Sequence, residues 1–496
     1  MRRLILLLAA QAVTAPADLG EKIEALIEAS PAARRAFWGI HVVRLPSGEA
    51  VHGRNEGRLF VPASNTKLFT TALALEVLGP GHRFRTRVTA GRAPDDSGHV
   101  RGDLFLEGGG DPTLSAREIP YRAGPVTGDP LGPIEQLAEA VVARGVRRIS
   151  GDIAGDDTAY VWAPYPEGWA QDDLVWQYGA PVSALSVNDN TLSIALRPAK
   201  AAGLPARIAL SPPVEYYAID NRVRTVEGSE AKVEVERSAG GRQLRLWGEI
   251  GVQSAGATHA VAVSDPALFA AAAFHEALTR RGVAITGKAV AVHKFPDDVP
   301  DPASGAPASA HERAVLAERE SPPLVEVLRT VNKVSQNLHA ELVLREVGRV
   351  RRNAGSREAG MEELRGFLRG AGIEEKEYEL ADGSGLSRRN VVSPAAVTKL
   401  LAHMYRSKHR EEWLSLMPVG GTDGTLEHRF RGIPEGRRIR AKTGTVAHVS
   451  ALSGYADSGR NGPLAFSILV NNYSTEDSEI RRIIDRISSW LVASGE

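Results

Sequence analysis

Ser64-Asn65-Thr66-Lys67 (SNTK) stands where a polar loop gives way to LFTTALALEVL, Leu68 to Leu78. The run predicts a helix from Thr66 to about Leu78, stopped by Gly79-Pro80-Gly81. Leu68, Phe69, Ala72, Leu73, Leu75, Val77 and Leu78 make it apolar on every side, and such a helix is a buried one. Ser64 and Lys67, three apart at its mouth, share one face a turn apart. A serine hydroxyl is a poor nucleophile until a base takes its proton. Lysine is that base only when neutral, which burial or a neighbouring cation favours. The helix N-terminus also favours developing negative charge. A capping serine beside a solvated lysine would leave the same four letters, so SNTK needs partners.

The sequence around SNTK suggests where partners lie. FWGIHVVRLPSGEAVHGRN, Phe37 to Asn55, reads as two strands about a Pro46-Ser47-Gly48 turn, preceded by a short amphipathic helix over Glu21 to Glu28. Near the end, RRIRAKTGTV, SALSGYADSG and PLAFSILVNNYS read as three strands. The final element repeats Ile480, Ile483, Ile484, Ile487 and Leu491 at helical spacing, one apolar face that must lie on something. The economical arrangement joins the two early strands and the three late ones into one sheet. The terminal helices cover one face, and the helices of PPLVEVLRTVNKV, NLHAELVLREVG and GMEELRGFLRGAG cover the other.

Between these halves, from about Phe84 to Val292, short β-rich runs alternate with glycine, broken by helical stretches at Pro133 to Arg144 and Asp265 to Arg281. Residues 292–314, rich in proline, alanine and acid, read as a linker or return crossing. The expected division is a catalytic domain of 16–84 and 313–496, with 85–312 as an inserted β-rich region, two nested domains.

Composition narrows the function. Sixty basic and sixty acidic residues cancel, so no global field draws in nucleic acid. The absence of cysteine excludes disulfides, thiol nucleophiles, thiolate metal sites and a lipid-anchored cysteine. The thirteen histidines show no metal-binding spacing, and no cofactor is called for. Residues 1–15, with Arg2 and Arg3, an apolar run Leu4 to Ala10 and small residues after it, have the order of an export signal. No later segment approaches a membrane span. The expectation is an exported, periplasmic protein, at most loosely held at a membrane.

Two further stretches resolve SNTK. VSQNLHAEL sets Ser335-Gln336-Asn337 between two helices, where hydroxyl and carboxamide can face one cleft, although both residues also suit helix capping. RIRAKTGTV sets Lys442, Thr443, Gly444 and Thr445 on a strand. Gly444 would let a substrate backbone lie close to the strand edge, while Lys442 and the threonine hydroxyls suit a carboxylate. Burying Lys442 beside Lys67 would also help keep Lys67 neutral.

SxxK, SxN and KTG in this order resemble the penicillin-recognising serine enzymes, penicillin-binding proteins and serine β-lactamases. The gap between the first two motifs is more than twice that between the last two, and the additional acidic motif of Glu-assisted β-lactamases is missing. The chain therefore resembles the D-alanyl-D-alanine carboxypeptidase/endopeptidases of the PBP4 or DacB type, peptidase family S13. GDLFLEGGGDPTL, GDIAGDD, YGAPVSALSVNDN, DGSGLSRRN and GGTDGTLEHRF extend the likeness over nearly the whole chain. Glutamine at the middle of SQN, where an acid is common, is a small departure.

The resemblance implies an α/β (α+β) penicillin-binding transpeptidase-like domain, an antiparallel five-stranded sheet with helices on both faces, plus inserted β-rich domains. It implies Ser64 as nucleophile, Lys67 as its base and Ser335 as proton relay to the leaving amine. Asn337 would bind the acyl-side amide, and Lys442, Thr443, Gly444 and Thr445 would form the carboxylate-binding strand. The N–H groups of Ser64 and Thr445 would make the oxyanion hole. The implied partners are peptidoglycan peptides, with β-lactams as covalent inhibitors. A β-lactamase or esterase on the same scaffold, or a silent wall-binding protein, are the alternatives.

Other features carry plainer expectations. Gly108-Gly109-Gly110 reads as a tight turn, because no GK[ST] follows. His339 reads as helix surface. Asp382 and Ser384 read as loop-turn residues, with cleft contact the lesser alternative. Trp162, Trp169 and Trp176 read as packing in a β domain.

Overall fold

The computed structural model describes residues 19–298 and 313–493, so the expected export segment lies outside the described residues. The two halves of the sequence pattern meet in one sheet. Its strand order is Ile439–Val446, Val449–Asp457, Pro463–Asn471, Phe37–Arg44 and Ala50–Arg54, every neighbour antiparallel. Gly48, at φ +79°, donates to the Arg44 carbonyl at 2.8 Å and closes the hairpin, a left-handed turn conformation that glycine takes without strain.

Alternation along the strands feeds two cores. On one face Ile40, Val42, Leu452 and Ile468 pack with the final helix Asp477–Ala493, through Ile480, Ile484, Ile487 and Leu491, and with the first, Leu19–Ala29. On the other face Val43, Ala451 and Leu469 pack with Leu68, Phe69 and Leu73 of the helix Thr66–Leu78 and with Leu400 and Leu401 of Pro394–Tyr405. Ten of that SNTK helix's residues, Thr66 to Leu75, are buried.

The intervening segment builds its own sheets. A mixed five-stranded sheet runs Ala289–Lys294, Ile153–Val161, Leu104–Glu107, Arg85–Ala90 and Ala314–Glu320. Two three-stranded sheets, formed from strands between Thr191 and Ala262, lie within it in sequence, and one apolar cluster spans both parts. The linker expected over 292–314 is shorter at both ends. Val292 pairs with Asp156 and Lys294 with Val161, while the strand Ala314–Glu320 pairs with Arg85–Ala90. The proline- and acid-rich composition masked the short valine-bearing runs AVAVHK and AVLAERE that flank it. The strand Ala314–Glu320 thus belongs to the mixed sheet, beyond residue 312 where the sequence reading sets the return.

Candidate active site

Ser64 lies in a single 3-10 turn, Ala63–Asn65, that runs straight into the helix Thr66–Leu78. Two glycines let other segments close over that turn. A Cβ on Gly444 would stand 2.6 Å from the Pro62 carbonyl oxygen, and one on Gly385, at φ +85°, only 1.9 Å from that of Ala63. The missing side chain of Gly444 is therefore required by the protein's own turn, a constraint that its place in KTG does not reveal. Asn65 Nδ2 adds a 3.2 Å bond to the Lys442 carbonyl, tying the turn to the strand.

Lys67 is wholly buried. Its Nζ is 2.9 Å from Ser64 Oγ, 2.6 Å from Asn337 Oδ1 and 2.6 Å from the Ser384 carbonyl oxygen. Burial pulls Lys67 down to about 7, against the carboxylates of Asp382 and Glu341, which raise it. Lys442, also wholly buried, reaches Ser335 Oγ at 2.8 Å and the Thr443 carbonyl at 2.8 Å. It is held well below the lysine range by burial and then by the charge of Lys67. The repulsion falls on Lys442, the lysine held lower, while burial alone brings Lys67 down.

Ser335 sits at φ +66° between the helices Leu324–Lys333 and Asn337–Arg352. A non-glycine residue in that region is strained, and such strain collects at functional sites. The helix cap that Ser335 or Asn337 might have supplied comes from Gln336, whose Oε1 accepts from Leu338 N–H at 2.8 Å. Serine and asparagine on either side are thereby free to face Lys442 and Lys67.

Ile439–Val446 is the edge strand of the sheet. Ala441 N–H donates outward to the Pro418 carbonyl and Ile439 C=O accepts from Gly420 N–H, each at 3.0 Å. Backbone groups alternate along a strand, so Thr443 and Thr445 direct theirs to the same outer edge. Thr443 Oγ1 meets Thr425 Oγ1 at 2.8 Å.

Several residues of the site escape a linear reading. Glu341 and Asp382 are wholly buried. Glu341 accepts from Gly383 N–H at 2.8 Å and pairs with buried Arg345 at 3.1 Å, and burial, then the charge of Asp382, pushes its carboxyl up. Asp382 gathers the N–H groups of Gly385 and Ser387, Asn390 Nδ2 and Trp169 Nε1 at 2.6–2.9 Å. It fixes the loop that presents the Ser384 carbonyl to Lys67. The expected plain turn at Asp382 is thus a buried clamp against the site, and Trp169 is part of it rather than packing in a β domain. Trp162 stacks on His293 at 4.1 Å, as packing requires. His339 is buried, not surface, because Asp189 at 2.8 Å supplies its partner. One signal was available: Asn337, Glu341 and Arg345 recur every four residues on one helix face.

Fold and site together define a serine hydrolase of the penicillin-recognising class. Residues 19–493 match the D-Ala-D-Ala carboxypeptidase 3 (S13) family, and the chain belongs to that family. It is 36% identical over 469 residues to a D-alanyl-D-alanine carboxypeptidase of Actinomadura sp. (strain R39), covering 92% of this chain and 81% of that protein. It is 24% identical to the D-alanyl-D-alanine carboxypeptidase DacB of Haemophilus influenzae, covering 86% and 83%. The fold is that of penicillin binding protein 4 (dacB) from Haemophilus influenzae, with a TM-score of 0.79 at 23% identity over 95% of this chain and 98% of that one. A complex of that protein with a β-lactam gives 0.76 at 22%, with the same coverage.

Proposed function

We propose that Ser64 attacks the carbonyl of the penultimate D-alanine in peptidoglycan stem peptides and forms an acyl-enzyme that water then hydrolyses. The enzyme is a serine D-Ala-D-Ala carboxypeptidase/endopeptidase. The observation that carries the mechanism is the set of three contacts at Lys67 Nζ. Asn337 Oδ1 and the Ser384 carbonyl can only accept, so they take the two hydrogens of the neutral amine and leave its lone pair for the Ser64 hydroxyl proton. The Ser64 and Thr445 N–H groups stabilise the oxyanion. Ser335, bonded to Lys442, passes a proton to the departing nitrogen, and Thr443, Thr445 and Lys442 receive the substrate carboxylate.

Penicillin supplies an amide that mimics the substrate but is cleaved into a slowly released ester. Intact-mass analysis after penicillin should show one adduct, mapped to the peptide that carries SNTK and lost in Ser64→Ala. An adduct elsewhere, or one that survives in Ser64→Ala, removes the assignment. Lys67→Ala should slow acylation by about 100-fold or more, the scale of general acid–base catalysis, with thermal unfolding still cooperative.

The enzyme acts outside the cytoplasm, led there by residues 1–15. In support, Arg2 and Arg3 precede the apolar run Leu4 to Ala10 and small residues follow it, the order of an export signal.

A further inference from the structure

Thr425, one hydrogen bond from Thr443, also lines a cleft of about 440 Å³. So does Val334, the residue before Ser335. The cleft thus adjoins the side of the catalytic centre where Ser335 protonates the leaving nitrogen and the strand takes the carboxylate. Its outer wall is the loop that carries Tyr121, Arg122 and Val126. That loop is anchored. Arg117 Nε donates to Asp189 Oδ2 at 2.7 Å, and the other oxygen of Asp189 pairs with His339 at 2.8 Å, two residues after Asn337. Burial pushes the Asp189 carboxyl up, but His339 and Arg117 outweigh it and hold it ionised.

The lining is mixed. Val126 and Val334 are exposed, at 52% and 39%, and Tyr121 adds an aromatic face. The side chain of Arg122 is 79% exposed, its ion-pair contact with Glu118 a long 3.8 Å. A carboxypeptidase releases one amino acid, which fills a small part of such a volume, since clefts of about 300–1,000 Å³ take ligands of peptide-fragment size. Glu118 and Glu427 also line the cleft, so the cation open to a peptide carboxylate is Arg122 at its exposed rim, while Val126, Val334 and Tyr121 suit the peptide's apolar parts.

We propose that this cleft holds the leaving-side peptide of a cross-link, the stem peptide whose amine is released on acylation. The proposal rests on the acyl-enzyme reading above and assigns its endopeptidase substrate a place. The C–N bond of the cross-link breaks as the C–O bond to Ser64 forms. The Ser64 proton goes to Lys67, and a proton passes through Ser335 to the released nitrogen. The peptide lies along Tyr121, Val126 and Val334 with a carboxylate toward Arg122.

The test compares a cross-linked dimeric muropeptide with a monomeric peptide ending in D-Ala-D-Ala, in wild type, Arg122→Glu and Tyr121→Ala. Expected is a fall in kcat/KM of about tenfold or more on the dimer, with monomer cleavage and penicillin acylation within about twofold of wild type. Arg122 projects from a surface loop, so its variant keeps the test open if Tyr121→Ala unfolds. Equal losses on dimer and monomer, or no loss on either, overturn the cleft assignment. So does a wild-type enzyme that acylates and cleaves the monomer yet leaves the dimer intact. A wild type without a penicillin adduct at Ser64 fails at the earlier step and takes down the acyl-enzyme reading itself.

Discussion

Asn337 turns its amide oxygen to Lys67 Nζ at 2.6 Å while its amide nitrogen donates to the Tyr178 carbonyl at 2.8 Å. The second contact decides the first. A carbonyl oxygen cannot donate, so the –NH2 end faces Tyr178 and the acceptor end faces Lys67. Asn337, expected to bind the acyl-side amide of a substrate, here also sets the hydrogen-bond pattern of Lys67, the proposed base.

Exchanging that amide for a carboxylate tests the link. In Asn337→Asp a negative charge would stand at the Lys67 amine and stabilise the ammonium. The pKa of Lys67 should rise above about 7, and the acidic limb of acylation should move to higher pH. At pH 7 each unit of upward shift costs about tenfold in rate, and the rate should recover above the new limb. A pH–acylation profile with penicillin checks this. A limb in the wild-type position, with a lower plateau, would mean that Asn337 acts on the substrate alone.

Glu341 should act in the opposite sense. Its carboxylate raises Lys67, so Glu341→Gln removes a stabiliser of the ammonium and moves the acidic limb to lower pH. The same change leaves Arg345, 1% exposed, without its charge partner, and breaking a buried pair costs about 3–5 kcal/mol. A lower melting temperature together with a down-shifted limb is the expected pair of readings. A limb that stays in place while stability falls would leave Glu341 a purely structural role.

The five-stranded sheet was legible from sequence because its strands are short β-rich runs set off by turn residues, and because a one-faced terminal helix demands a surface. The order of SNTK, SQN and KTGT was equally legible, since each motif is local. The setting of Lys67 was not. One of its partners is the backbone carbonyl of Ser384, which carries no residue signature, and that loop is held by Asp382 through contacts that reach back to Trp169. His339 was misread as surface because its partner, Asp189, lies 150 residues away. The close approach of Gly444 to the Pro62 carbonyl was hidden as well, because sequence cannot show which backbone a strand packs against.

That last contact makes a sharp prediction. In Gly444→Ala the new methyl would sit 2.6 Å from a backbone oxygen, so the strand must move off the turn that carries Ser64. Overpacking of this kind costs about 1–3 kcal/mol. If Ser64 and Thr445 form the oxyanion hole as proposed, the movement draws one donor away, and loss of one such donor costs about 100-fold or more. Acylation should fall at least about tenfold while the melting temperature drops only a few degrees. Unchanged acylation would show that the spacing of strand and turn is not critical.

Lys442 yields the prediction with most bearing on specificity. It is wholly buried, its bonds run to the neutral oxygens of Ser335 and Thr443, and burial with the charge of Lys67 disfavours its ammonium. A carboxylate arriving at Thr443 and Thr445 reverses that balance, because an opposite charge favours the ammonium and gives a charge-assisted bond. Both reactions of the family cut beside such a group: the terminal D-alanine's own carboxylate, or that of the D-centre of a cross-linked diamino acid. A protonated Lys442 then repels charge on Lys67 and keeps the base neutral. Amidating the substrate carboxylate should therefore lower kcat/KM by about tenfold or more, about 1.4 kcal/mol of transition-state binding. Lys442→Ala should depress turnover of the free acid far more than that of the amide, so that the two substrates converge. If the wild-type enzyme cleaves acid and amide alike, carboxylate recognition by the KTGT strand has to be given up, and Lys442 is left with Ser335 alone.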